Sequence, residues 1–281
     1  MKKTIRRLQP LMTASLLLAT IAAVLQTASV LSHLEPQSGY FTEGEILPVL
    51  TSVLGALSAL AGTLSAFLEK PANNTSGATV FSTKRFAFGA APAFLLVFAV
   101  ILLDPIFRSM RLAIPSLLFL LGATVYSALL PLPAMRRHQN ALALLGFCAV
   151  IACILLNTYL YFDMSVPMNA PLKTALQTGL LCAMLYYVAE LRYLLGIPQP
   201  RVMRMLSSWT ATASALVFPA LPLSFLLGDY PRADHAALAT LIAFSAISAT
   251  ISLLRLLFPV PNNKQTESDE RETDNSERMP Q

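Results

Sequence analysis

The sequence predicts an all-α polytopic membrane protein, a bundle of eight transmembrane helices with both termini in the cytoplasm. Three observations predict it. Only 12% of the 281 residues are charged and 55% are hydrophobic, with mean hydropathy +0.61. Soluble domains carry about 25% charged residues, so such a chain cannot cover itself with a polar surface. The second observation is a set of eight apolar runs, each near the roughly 20 residues that a bilayer span requires. The third is the distribution of Lys and Arg. With the N-terminus inside, the segments on that side hold 16 of them and the outer segments hold four, Arg108, Arg111, Lys173 and Arg232. Basic residues concentrate on the cytoplasmic side, and adding or removing one span would scramble the asymmetry.

The runs lie at 11–32, 46–68, 86–103, 112–132, 141–161, 172–195, 207–228 and 235–257. The first follows a basic MKKTIRR segment, but its apolar stretch exceeds the 7–15 residues of a signal-peptide core. An uncleaved signal-anchor helix is expected. Pro48, Pro92 and Pro115 fall in first helical turns, where proline is permitted. Trp209, Tyr159, Tyr161 and Tyr230 fall at span ends, where amphipathic rings favour the membrane interface. Residues 1–261 thus form the transmembrane domain. Residues 262–281 are a polar tail with six acids and three bases, too poor in apolar side chains to order itself by burial.

A parallel 4+4 internal repeat is a further expectation. GYF at 39–41 is echoed by LYF at 160–162, Glu69 by Glu190 and Arg111 by Arg232, all at a spacing of 121. Only five of 39 positions from Leu31 to Glu69 match at that spacing, about what biased apolar composition yields.

Several function classes are excluded. No polar segment is long enough for a soluble catalytic domain, and no H-E-x-x-H, G-x-S-x-G or Walker sequence is present, so no enzyme is expected. Cys148, Cys153 and Cys182 sit in apolar runs without a C-x-x-C spacing. His33, Glu35, Asp234 and His235 could meet outside, yet their spacing fixes no ligand geometry, and neither metal nor cofactor is expected. The basic excess fits contact with anionic headgroups rather than nucleic acid.

Glu190 and Arg192 interrupt an apolar run. A helix entering at Leu172 places Glu190 about 27 Å along its axis, close to the full hydrocarbon thickness of about 30 Å. Glu190 is therefore expected to be solvated or paired at a helix end, as is Glu69. A cytoplasmic gate or partner contact formed by Glu69, Glu190 and Arg192 is the alternative. No ionisable residue lies near the middle of a proposed span, which argues against a carboxylate relay for protons.

The seventh run holds the candidate binding segment. Pro219 and Pro222 remove helical N–H groups and leave the carbonyls of Ala215 and Phe218 without their usual partners. In lipid those carbonyls need another donor, water or a ligand. Gln26, Asn157 and Gln177 lean toward the outer leaflet and, with the prolines, outline an outward-facing pocket. The small residues Ser208, Thr212 and Ala215 share one face, expected to pack on Ala239, Ala243, Ala246 and Thr250 of the eighth run. The expected function is a permease-like or substrate-binding component of a bacterial-type plasma membrane. A non-transporting sensor or assembly scaffold, working through lipid or another membrane protein, is the competing class.

Overall fold

The computed structural model describes residues 10–35, 39–68, 113–129, 139–162, 167, 169–195, 197, 199–217 and 220. Six helices run through them: α1 Pro10–His33, α2 Ile46–Leu68, α3 Ala113–Leu129, α4 Gln139–Phe162, α5 Pro171–Leu194 and α6 Pro200–Val217. The runs at 86–103 and 235–257, the tail 262–281, and Glu69, Phe218, Pro219 and Pro222 lie outside the described residues. Pro10–His33, Ile46–Leu68, Asn140–Phe162 and Pro171–Arg192 are long and apolar enough to cross a membrane.

Proline opens three of these helices, at Pro10, Pro171 and Pro200. The first N–H of a helix has no internal partner, and a fixed φ suits that position. Pro200 corrects a boundary. α6 begins seven residues before the apolar run at 207, because hydropathy marks entry into lipid whereas proline marks the start of the helix. Trp209 is consequently the tenth residue of α6, well inside the helix, and its indole Nε1–H donates to Thr63 Oγ1 on α2 at 2.9 Å.

The burial pattern is inverted relative to a water-soluble helix. α1 buries Met12, Ser15, Ala19, Ala22, Gln26 and Ser29, in alternating steps of three and four. α2 buries Thr51, Gly55, Ser58, Gly62 and Ser65 with the same alternation. Nine large apolar side chains of α2, including Val49, Val53, Leu60, Leu64 and Phe67, stay 39–76% exposed. Half-exposing nine such groups to water forgoes roughly 7–13 kcal/mol, comparable with the whole stability of a domain. The arrangement suits an apolar solvent, and with the four spanning helices it indicates a membrane protein. Small residues along a three-four seam let helices approach closely with left-handed, coiled-coil-like packing.

α1 and α2 form an antiparallel hairpin closed by a short connection. There Thr42 N–H donates to His33 O at 2.9 Å and Glu35 N–H to Tyr40 O at 2.8 Å. Leu34 and Phe41 form an isolated antiparallel bridge. Gly39 and Gly44 take φ of 72° and 85°, the left-handed region in which side chains are strained. His33 Nδ1 lies 3.4 Å from Glu45 Oε1. Two anchors of the expected repeat stand in different local structure. Residues 39–41 form the loop, whereas 160–162 end helix α4.

α6 packs against α1, α2 and α5, and α5 continues through α4 to α3. Along α2 and α6 the partners run in opposite directions: Gly55 meets Leu216, Ser58 meets Thr212, and Gly62 meets Ser208. α6 is therefore antiparallel to α2 and parallel to α1. The α3–α4–α5 side holds an aliphatic core with Tyr126, Tyr186 and Tyr187 fully buried. A Cβ on Gly146 of α4 would lie 2.6 Å from Leu191 Cδ2 and 3.0 Å from Tyr126 Cε2, so this glycine lets α3 and α5 close on α4. Gly179 of α5 is different, since a Cβ there would meet only Ala213 Cβ, at 4.0 Å. Gly179→Ala should therefore stabilise the protein by about 0.4–1 kcal/mol, through helix propensity and a less mobile unfolded chain. A melting temperature raised relative to wild type would bear that out, and a fall would refute it.

Candidate functional site

α6 is the helix on which polar chemistry gathers. Ser207, Ser208, Thr210, Thr212 and Ser214 are all buried, within a segment of eight residues. Hydroxyls in an apolar environment must find partners, since a buried one left unpaired costs about 1–3 kcal/mol. In this protein they meet three different fates.

The commonest is a bond back to the carbonyl four residues earlier on the same helix. Thr20, Thr27, Ser29, Ser32, Thr51, Ser52, Thr63, Thr174, Thr178 and Thr210 all do this, at 2.6–3.2 Å. Such groups place their proton locally, and of them Thr63 also accepts from Trp209 on α6.

The second fate is a junction between helices. Ser15 Oγ donates to Ser58 O at 2.9 Å, and Ser58 Oγ donates back to Ser15 O at 2.8 Å. Each serine has one proton, and both are now used. The contacts Ser208 Oγ–Ser15 Oγ at 3.1 Å and Thr212 Oγ1–Ser58 Oγ at 2.9 Å therefore have the α6 hydroxyls as donors. Four hydroxyls tie α1, α2 and α6 together, and Gly62 makes room for them. A Cβ at Gly62 would overlap Ser208 Oγ and lie 2.6 Å from Ser208 Cβ. Ser208 and Thr212 thus face α1 and α2; the expected partners in the eighth run lie outside the described residues. Antiparallel and parallel neighbours present equally small seams, so sequence could not tell which would be used.

Ser207 and Ser214 share the third fate. Each is 1% exposed, and among the described residues neither Oγ has a hydrogen-bond partner. Positions 207, 211 and 214 line one side of α6, with the two hydroxyls about 10 Å apart along the axis. Sequence reasoning missed them because it attended to the small residues Ser208, Thr212 and Ala215. The available signal was hydroxyl density all round the helix, more than one neighbour could absorb.

Gln26 is buried on α1, while Asn157 on α4, Gln177 on α5 and Ala215 on α6 are half-buried. Among the described residues no hydrogen bond joins Gln26, Asn157 and Gln177. Two charged residues are buried. Glu190 is 1% exposed and accepts a hydrogen bond from Tyr186 Oη–H at 3.3 Å, so of the two expected settings it is paired rather than solvated. Depth along the helix axis placed it near an interface, but its face of α5 turns into the α3–α4–α5 core. Arg192, two residues on, is exposed. Lys173, counted among the outer connections, is 2% exposed in the first turn of α5. Cys148, Cys153 and Cys182 are free thiols. No protein-family model, curated protein or solved structure matches the chain.

Proposed function

We propose that this chain is a permease-like or substrate-binding component of a bacterial-type plasma membrane, with eight spans and both termini cytoplasmic. The observation that carries the proposal is α6, enclosed by α1, α2 and α5 yet dense in hydroxyls, two of them unpartnered among the described residues. A helix serving only to fill a membrane bundle needs small or aliphatic residues there and gains nothing from spare hydroxyls. In the sequence α6 is followed by Pro219, which has no N–H to offer the carbonyl of Ala215 four residues earlier. The ligand site in this reading lies around α6 and extends toward Gln26, Asn157, Gln177, Ala215 and Phe218. Glu190, with Glu69 and Arg192, forms the cytoplasmic gate or partner contact. The orientation rests on the 16-to-four distribution of basic residues.

Thermal unfolding of the detergent-purified protein against water-soluble metabolites, ions and lipids tests this. A ligand at 100 times its Kd should stabilise the folded form by about 2.7 kcal/mol. A water-soluble ligand raising the melting temperature is the expected result. Response to lipids alone would favour a non-transporting sensor or scaffold. The closed Ser15–Ser58–Ser208–Thr212 junction suits that second reading, since its hydroxyls are satisfied by one another.

A further inference from the structure

We infer that the Ser207–Ala211–Ser214 side of α6 is a binding wall for an uncharged solute bearing hydroxyl or amide groups. The inference rests on the permease-like reading and deepens it by naming the surface and the ligand class.

The first ground is the contrast among hydroxyls. Thr210 bonds back to Leu206 O at 2.9 Å, and Ser208 and Thr212 reach α1 and α2. Ser207 and Ser214 do neither, although both are buried and on the same helix. Buried polar groups in folded proteins are paired with few exceptions, and an exception calls for a partner. Two exceptions one above the other, at i and i+7, form a row.

The second ground is where that row points. Among the described residues, the close approaches of α6 to α1, α2 and α5 fall elsewhere on its circumference. Ser208, Thr212 and Leu216 meet α1 and α2, and Ala213 meets Gly179 of α5. At about 100° per residue, the middle of the Ser207–Ser214 side lies roughly 90° or more from each of these four residues of α6. Ala211, between the two serines, projects only a methyl group and is buried with them.

Charge selects the ligand class. Between Met205 and Val217 there is no ionisable residue. The nearest on that side is Arg204, one turn before Ser207 and already engaged in an interaction of its own. An ion seated beside Ser207 and Ser214 would give up its hydration without a counter-charge from this helix. A hydroxyl both donates and accepts, so it pairs well with another hydroxyl or with an amide. A separation of about 10 Å exceeds what one water spans, so a ligand touching both serines is several bonds long. A polyol or a sugar has those properties.

The test uses Ser207→Ala, Ser214→Ala and their double variant, with Ser58→Ala as the comparator that breaks the helix junction. Melting is measured without ligand, then with sorbitol and glucose at millimolar concentration and with gluconate, the acid of the same chain length. Without ligand, the double variant should melt no lower than wild type, because no hydrogen bond is lost, whereas Ser58→Ala should melt lower. Wild type and Ser58→Ala should be stabilised by the uncharged compounds and not by gluconate. In the double variant the apparent affinity should fall roughly tenfold or more. A double variant as destabilised as Ser58→Ala would show that both hydroxyls hold structure and would overturn the inference. An undiminished response in the double variant would also overturn it, as would a response to gluconate alone; either leaves the permease-like reading standing. No response to any of the three, with none in the wider panel, would overturn both.

Discussion

Gly62→Ala is expected to destabilise the protein by about 1–3 kcal/mol, the usual cost of overpacking a close contact. In an open helix the same substitution would gain up to about 1 kcal/mol from helix propensity. The added Cβ at Gly62, however, would overlap Ser208 Oγ and come within 2.6 Å of Ser208 Cβ, with Ser15 Oγ at 3.2 Å. Ser208 cannot simply rotate away, since its hydroxyl is held by Ser15 and its Cβ is fixed by the backbone of α6. α2 and α6 must separate, which also stretches the bonds between Ser58 and Thr212 and between Thr63 and Trp209. The measurement is a denaturation midpoint for Gly62→Ala beside Gly179→Ala. Opposite signs are expected at the two glycines. Stabilisation at both would mean that α2 and α6 do not approach this closely.

The second large effect belongs to Glu190. Glu190→Ala should cost about 1–3 kcal/mol, because it leaves the Tyr186 hydroxyl buried without this acceptor and opens a space in the α3–α4–α5 core. Arg192→Ala should stay within about 0.5 kcal/mol, as exposed substitutions usually do. Glu190→Gln keeps an acceptor for Tyr186 and should recover part of the loss. Equal, small effects for Glu190→Ala and Arg192→Ala would return Glu190 to a solvated helix end. The contrast also bears on the proposed gate: a buried carboxyl can change partners when neighbouring helices move, whereas an exposed one has water in either state.

Much of the helical layout was legible in the sequence. Ile46–Leu68 coincides with the apolar run, and α4 and α5 lie within two residues of theirs. The reason is local. The bilayer demands a run of fixed length, and a run broken by polar or proline-rich segments states its own limits. α6 departed from its run because its first turns are helical without being apolar, so hydropathy was silent there while Pro200 was not. The small residues of α2 were equally visible, but their partner was not. Thr51, Gly55, Ser58, Gly62 and Ser65 describe a seam without saying which helix fills it.

The candidate site divides along the same line. Composition, run length and the placement of basic residues determined, by sequence alone, a helical chain suited to lipid, with polar chemistry concentrated in the seventh run. Those are one-dimensional properties, each set by residues close together in the chain. Tertiary structure alone decided that Glu190 turns inward, that Ser208 and Thr212 close on Ser15 and Ser58, and that Ser207 and Ser214 are left over. A hydroxyl or a carboxyl has the same formula in each setting. What it does is settled by the atoms within hydrogen-bonding reach, and here those atoms come from residues as far as 193 positions away.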